Sequence, residues 1–224
     1  MKKLLVAAAA SLCLSTAMAA SVFETSGTDG VSVNAGNQNY GQMLGNDFMV
    51  NVGGLQVTAL GAFNDDLNGI QGNITVGLYD LTANAAVISP ISFAGMAGNT
   101  TYLYQNLNTP VALIAGHSYS IQAFGYSTGE ENYNTNVPVV NNGPNNQTTT
   151  PITFNSMGGA LTNLNSRFGG TSMGVGTTFA NSSTFGAGTL NVSAVPEPET
   201  YALMLAGLGA LGFMGRRRKS SGKA

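Results

Sequence analysis

The chain has 224 residues, of which 8 are Lys or Arg, 10 are Asp or Glu, one is Cys and one is His. A single Cys excludes an intrachain disulfide, and one Cys with one His excludes a Cys/His zinc site. Between Ser21 and Val195, Arg167 stands alone against eight acidic residues, a net charge of −7, which excludes a nucleic-acid-binding protein because such proteins need a basic surface.

Residues 1–20 are typical of a secretory signal peptide. Two lysines near the start are followed by the apolar run 4–14 and then by an Ala-Met-Ala segment. This apolar run is shorter than the roughly 20 residues that span a membrane as a helix. We therefore expect a signal helix that signal peptidase cleaves after Ala19 or Ala20.

Residues 21–194 are predicted to form one all-β domain, of β-sandwich or jelly-roll-like architecture. Short apolar or alternating runs recur about every ten residues, separated by Gly, Asn, Asp and Pro. The predicted strands are 47–52, 55–63, 73–81, 86–93, 101–107, 111–115, 118–126, 151–154, 177–179 and 190–194. A long loop is predicted near 136–149, where Pro138 interrupts a valine run. The sequence does not decide whether 156–176 is ordered.

The segment after the second predicted strand has the composition of a calcium loop. Asn64, Asp66 and Asn68 place side-chain oxygens at alternate positions before a glycine, as in the first half of such a loop. Thr75 occupies the position of the closing Glu, so the segment is not an EF-hand, and Asp80 is a candidate further ligand. The same residue types form tight hairpin turns, and the sequence favours the turn.

A second candidate binding segment contains Tyr126, Glu130, Glu131 and Tyr133. Aromatic rings beside carboxylates and amides are what a sugar-binding surface uses. The alternative is an ordinary solvated loop, which we favour because the chain has no Trp.

Catalysis finds no support in the residue pattern. His117 could join a triad with Ser118 or Ser127, but no G-x-S-x-G motif is present, and we expect it to be a solvated turn residue. Neighbours in a strand point to opposite faces, so adjacent carboxylates such as Asp65-Asp66 do not form a glycosidase pair. We expect no enzymatic activity and no cofactor, with calcium as the one alternative.

The C-terminal residues 195–219 contain a stiff spacer, an apolar segment that predicts a transmembrane helix, and a basic cluster. In this order they are Pro196, Glu197 and Pro198; about 201–215; and Arg216, Arg217 and Arg218. Basic residues stay on the cytoplasmic side of a membrane, which places the body outside.

This tripartite order resembles the PEP-CTERM sorting signal of Gram-negative bacteria, also catalogued as an ice-binding protein C-terminal domain. The resemblance implies recognition by an exosortase, cleavage near 196–198, a transient stay in the inner membrane, and delivery to the cell envelope, the surface or the extracellular matrix. Residues 46–125 resemble more loosely the β-sandwich body of such proteins, through Thr58–Asp65, Val76–Asp80 and Leu113–Tyr119, which bears on fold rather than activity.

These observations lead to a hypothesis and an alternative. The hypothesis is a non-catalytic secreted or surface protein that serves as a structural or adhesive component of the exopolysaccharide or biofilm matrix. The alternative is a carbohydrate- or calcium-binding module.

Overall fold

The computed structural model describes residues 19–25, 36–136, 152–195 and 206–207. The predicted signal helix lies outside these residues except for its last two positions. Most of the predicted loop near 136–149, the Pro-Glu-Pro spacer, the arginine cluster and nearly all of the predicted transmembrane helix also lie outside them.

The described residues form short strands joined by turns. In chain order they are β1 (Ala20–Ser21), β2 (Phe23–Thr25), β3 (Leu44–Val50), β4 (Leu55–Phe63), β5 (Thr75–Asp80), β6 (Ala85–Ser92), β7 (Tyr102–Leu113), β8 (Ser118–Phe124), β9 (Tyr133–Asn134), β10 (Ile152–Phe154), β11 (Leu161–Phe168), β12 (Thr177–Phe179), β13 (Phe185–Gly186) and β14 (Gly188–Ala194). A 3-10 turn, Met157–Gly159, precedes β11.

Two antiparallel sheets make up most of the body. One has the strand order β1-β14-β4-β7 and the other the order β12-β11-β3-β8-β5-β6, with the pairs β10-β2 and β13-β9 beside them. A Cβ atom added at Gly188 of the first sheet would lie 3.1 Å from Val76 and 3.2 Å from Ile121 of the second. The all-β prediction is confirmed, and the close packing of two sheets fits a sandwich.

The core lies between these sheets and is formed by alternate residues of their strands. In β5 the alternate residues Val76 and Leu78, with Ile74 just before the strand, are fully buried, as their period of two predicts. In β8 both faces are buried, because Gln122 on the outer face exchanges two hydrogen bonds with the backbone of Gly174 (2.6 and 3.0 Å). The segment around Gly174 therefore covers the outer face of the six-stranded sheet.

The sequence leaves open whether residues 156–176 are ordered, and the structure shows that they are. This segment contains β11, which lies between β3 and β12 in the six-stranded sheet. Arg167 of β11 donates from Nε to both carboxylate oxygens of Asp47 in β3, at 2.8 and 2.9 Å. The body's one strongly basic side chain is thus paired and 8% exposed.

The two strands predicted at 101–107 and 111–115 are one continuous strand, β7. The pairing of β7 with β4 shifts register between Val57 and Ala59, so the ladder is irregular opposite the residues near Pro110. Proline cannot donate a ladder hydrogen bond, but β7 lies at the sheet edge, where that donor is not required on the open side.

Candidate functional site

The two candidate binding segments meet in the structure. Asp65 and Glu131 are joined by a hydrogen bond from the Glu131 backbone N–H to Asp65 Oδ2, at 2.9 Å. In return, Glu130 Oε2 accepts hydrogen bonds from the backbone N–H groups of Gln71 (2.5 Å) and Gly72 (3.1 Å). We call these two segments, residues 64–72 and 126–133, the paired loops.

Within the first paired loop, Asp66 and Asn68 bond to each other instead of converging on a cavity. Asp66 Oδ1 accepts from the Asn68 backbone N–H at 3.2 Å, and Asp66 Oδ2 accepts from the Asn68 side-chain amide. Leu67 and Gly69 have φ values of 61° and 96°, as tight turns require. This geometry is that of the turn alternative.

Asn64 is fully buried and makes no side-chain hydrogen bond with Asp66 or Asn68 among the bonds of the described residues. Its side-chain amide donates to the carbonyl of Thr100 at 3.0 Å, while its Oδ1 atom is buried without a hydrogen-bond partner. Among the described residues, no group of three or more His, Cys, Asp or Glu side chains is arranged to hold a metal.

Asp80 does not join the paired loops. It ends β5, whose other end, at Thr75, follows the first paired loop, so the length of the strand, roughly 17 Å at 3.3 Å per residue, separates Asp80 from that loop. Its Oδ1 accepts from the backbone N–H groups of Thr82 and Ala83 at 2.9 and 2.8 Å. The prediction that Asp80 completes a site with Asn64 is wrong.

The remaining oxygen of Asp80 binds His117, which is therefore not the simple solvated turn residue we expect from the sequence. Asp80 Oδ2 lies 2.7 Å from His117 Nδ1, and the His117 ring stacks on Tyr119 at 6.3 Å between centroids. Burial favours a higher pKa for Asp80, but hydrogen bonds from Ala83, His117 and Thr82 outweigh it and hold the pKa below its ordinary value. The pair ties the β5–β6 turn to the start of β8.

Both tyrosines of the second paired loop belong to the core. Tyr126 and Tyr133 are each 1% exposed, so neither ring can stack on a sugar at the surface. The Tyr126 hydroxyl accepts from the Phe63 backbone N–H at 3.1 Å and donates to the Ala187 carbonyl at 2.7 Å. Neither the candidate stacking role nor the solvated loop that the sequence favours fits Tyr126 and Tyr133, since both rings belong to the core.

Three carboxyl groups of the paired loops, those of Asp65, Glu130 and Glu131, have a pKa above the ordinary value. Burial raises the pKa of Asp65, and the charge of Asp66 adds to this, partly offset by the hydrogen bond from Glu131. Burial likewise raises the pKa of Glu130 and Glu131, and the charge of Asp65 raises both further. This site thus concentrates negative charge in a poorly hydrated position.

A pocket lined by aromatic rings lies on another part of the body, and no local sequence pattern predicts it. Its volume is about 190 Å³, and it is lined by Gln38, Tyr40, Leu44, Asn134, Phe168, Phe179, Thr184 and Phe185. The ring of Phe168 contacts Tyr40 and Phe179 edge-on, each at 6.3 Å. The lining comes from four separated stretches of chain, so no local motif indicates it.

The last described strand, β14, leads directly into the predicted sorting signal. Val195 still bonds to the body, through its backbone N–H and the carbonyl of Gly54 at 2.6 Å. Residues 194–219 match the family model of the PEP-CTERM protein-sorting motif. The chain carries a PEP-CTERM sorting signal.

The motif accordingly makes the chain an exosortase substrate that is exported to the cell envelope or surface. Comparisons with curated proteins and with solved structures found no match to the chain. In the part of the chain that the structure describes, no helix has both the length and the apolar character needed to cross a membrane.

Proposed function

We propose that the body of this PEP-CTERM protein is a non-catalytic structural or adhesive component of the exopolysaccharide matrix. The observation that supports this proposal most directly is the sorting motif that follows β14. Because this signal delivers the folded body to the surface, we expect the body to work there, in contact with extracellular polymer.

The use of polar side chains inside the body supports a structural rather than catalytic role. Glu130 and Asp65 bind backbone N–H groups across the paired loops, and Asp80 binds His117 and its own turn. Asp47 is neutralised by Arg167. These groups join turns and strands through fixed hydrogen bonds, which is a structural use of polar side chains.

The test of the matrix role is a deletion strain complemented with variants. We expect deletion to reduce the amount of cohesive matrix, and the full chain to restore it and to co-purify with the exopolysaccharide. A chain that lacks residues 195–224 should restore neither, because it is not sorted. Full matrix formation in the deletion strain, or absence of the protein from the matrix, would overturn the proposal.

A second candidate function, carbohydrate binding, is favoured by the aromatic pocket. Aromatic faces with nearby amide and hydroxyl groups suit a sugar ring, which has apolar faces and polar edges. In this pocket Phe168 and Phe179 would supply the apolar contact and Gln38, Asn134 and Thr184 the polar groups.

One pair of variants separates the two candidates. Phe179→Ala removes a pocket wall, whereas Phe154→Ala removes a ring that contacts Phe23 at 5.3 Å and does not line the pocket. If the matrix role is purely structural, both variants should stay in the matrix in proportion to their stability. Loss of polysaccharide retention by the Phe179 variant alone would favour the carbohydrate-binding module.

A further inference from the structure

The paired loops contain an excess of negative charge that no described cation offsets. Residues 21–195 contain one Lys or Arg, Arg167, and one His, His117. Arg167 is paired with Asp47 and His117 with Asp80. Among the described residues, neither Arg167 nor His117 is therefore paired with the carboxylates of the paired loops.

Two of these carboxylates are held between the loops in a crossed arrangement. Asp65 reaches from the first loop to the backbone of Glu131 in the second, and Glu130 reaches back to Gln71 and Gly72 in the first. Each thereby uses one oxygen. The other oxygens, Asp65 Oδ1 and Glu130 Oε1, are buried and have no hydrogen-bond partner.

A third unpartnered oxygen is Asn64 Oδ1, in the residue that precedes Asp65. Asn64, Glu130 and Asp65 are 0%, 2% and 9% exposed, so bulk water does not solvate these atoms. Leaving such groups unpaired costs about 1–3 kcal/mol each, and more for charged groups. Native proteins leave few buried polar groups without a partner, and such groups indicate a bound water, ion or other ligand.

The chemistry of the three atoms restricts what that ligand is. All three are hydrogen-bond acceptors when the carboxylates are ionised, so they require a donor or a cation. One water molecule donates only two hydrogen bonds and brings no positive charge. Two carboxylates and an amide carbonyl are hard oxygen ligands, the set that calcium prefers over zinc or copper.

We propose that Asn64, Asp65 and Glu130 bind a calcium ion between the paired loops. This ligand set differs from the spacing motif in the sequence, because Asp66 and Asn68 satisfy each other and Asp80 lies elsewhere. The ion would neutralise the two buried carboxylates and fasten the β4–β5 connection to the segment that follows β8. The proposal does not depend on the matrix role of the body.

Thermal unfolding of the exported protein, first stripped with a chelator, provides the first test. With calcium at a hundredfold excess over its dissociation constant, we expect the melting temperature to rise by about 5–10 °C. Asp65→Asn and Glu130→Gln keep the shape and one acceptor of each side chain, so both variants should fold but lose this rise. Asp66→Asn, a neighbouring exposed carboxylate, is the matched control and should keep it.

Terbium luminescence provides a second readout, one that does not depend on stability. Terbium occupies calcium sites, and the Tyr126 ring is close enough to Glu130 and Asp65 for their charges to affect its pKa. We expect tyrosine-sensitised emission that calcium displaces, present in the parent and in Asp66→Asn and lost in Asp65→Asn and Glu130→Gln. Any of three results would overturn the proposal. They are an equal response of all four proteins, an effect of magnesium equal to that of calcium, and a parent protein that shows neither emission nor calcium-dependent stabilisation.

Discussion

Ala20 lies opposite Val192 in the antiparallel pairing of β1 with β14. One of these residues is at the predicted signal-peptidase site, and the other is two residues before the sorting motif begins. The N-terminal end of the body and the strand that carries the sorting signal are therefore adjacent at one edge of the four-stranded sheet. The residues just after the predicted cleavage site are part of the fold.

The first prediction concerns this N-terminal segment. Val22 is fully buried, and burying a Val side chain contributes about 1.5–3 kcal/mol. We expect Val22→Ala to lower the free energy of unfolding by about 2 kcal/mol in urea titrations. Val52→Ala is the matched control, since Val52 is 47% exposed, and it should change stability by less than about 0.5 kcal/mol. Equal effects of the two substitutions would mean that the segment does not dock.

The second prediction tests the structural role of Tyr126. Its hydroxyl bonds to the backbone of Phe63 and Ala187 in the core. Tyr126→Phe removes these bonds, while the Phe63 N–H and the Ala187 carbonyl stay bonded to each other at 2.8 Å. We expect a loss of about 0.5–1.5 kcal/mol in the free energy of unfolding.

Tyr40→Phe is the control for this substitution. The Tyr40 hydroxyl bonds to Gln42 at 3.2 Å in an exposed position, and its removal should cost less than about 0.5 kcal/mol. Unchanged stability of the Tyr126 variant, combined with loss of polysaccharide binding, would restore Tyr126 as a ligand-binding residue.

The third prediction is a pH dependence that originates at Asp80. Its pKa is lower in the folded protein than the ordinary value of about 3.9. A lowered carboxylate pKa stabilises the fold above the unfolded-state value, and this stabilisation is lost as the pH falls through the folded-state value. We expect Asp80→Asn to be less stable than the parent by about 1–3 kcal/mol at pH 7.

The difference between these two proteins should shrink steadily below about pH 4. Chemical unfolding at a series of pH values measures it. Asp66→Asn, which changes an exposed carboxylate in a turn, should follow the parent at every pH. A difference between parent and Asp80→Asn that is independent of pH would show that the ionised Asp80 is not what stabilises the turn.

The fourth prediction concerns processing at the sorting motif. In cells with the matching exosortase, we expect the intact mass of the exported protein to lack Arg216, Arg217 and Arg218. Glu197→Ala should leave the protein uncleaved and in the membrane fraction. Glu24→Ala, an exposed glutamate of the body, should be processed like the parent. Normal cleavage of the Glu197 variant would contradict the role of the Pro-Glu-Pro segment.

Local sequence patterns predict much of this fold. The strand predicted at 55–63 coincides with β4 and the one at 177–179 with β12, because alternation of apolar residues and flanking turn residues are encoded within a few positions. The sorting motif is equally local, and it was recognisable from the order of its three segments.

The strand β11 escaped prediction because its residues, Leu161–Phe168, are mostly polar. It is ordered by partners far away in the chain. Arg167 binds Asp47, and Ser166 donates to Asn46 at 2.9 Å. A pattern-based prediction depends on apolar periodicity, and the buried positions of β11 include the polar residues Ser166 and Arg167, which find their partners only in the folded protein.

The sequence by itself determined the all-β class, the low charge of the body and the sorting signal, since each depends on composition or on residues adjacent in the chain. Only the tertiary structure decided which polar residues act together. It places Asp80 far from Asn64 and puts Tyr126 and Tyr133 in the core. It also brings together two loops about 60 residues apart, so that Asp65 and Glu130 each bond to the backbone of the opposite loop. Such pairings depend on strand order and register, which bring distant residues together and which no short segment specifies.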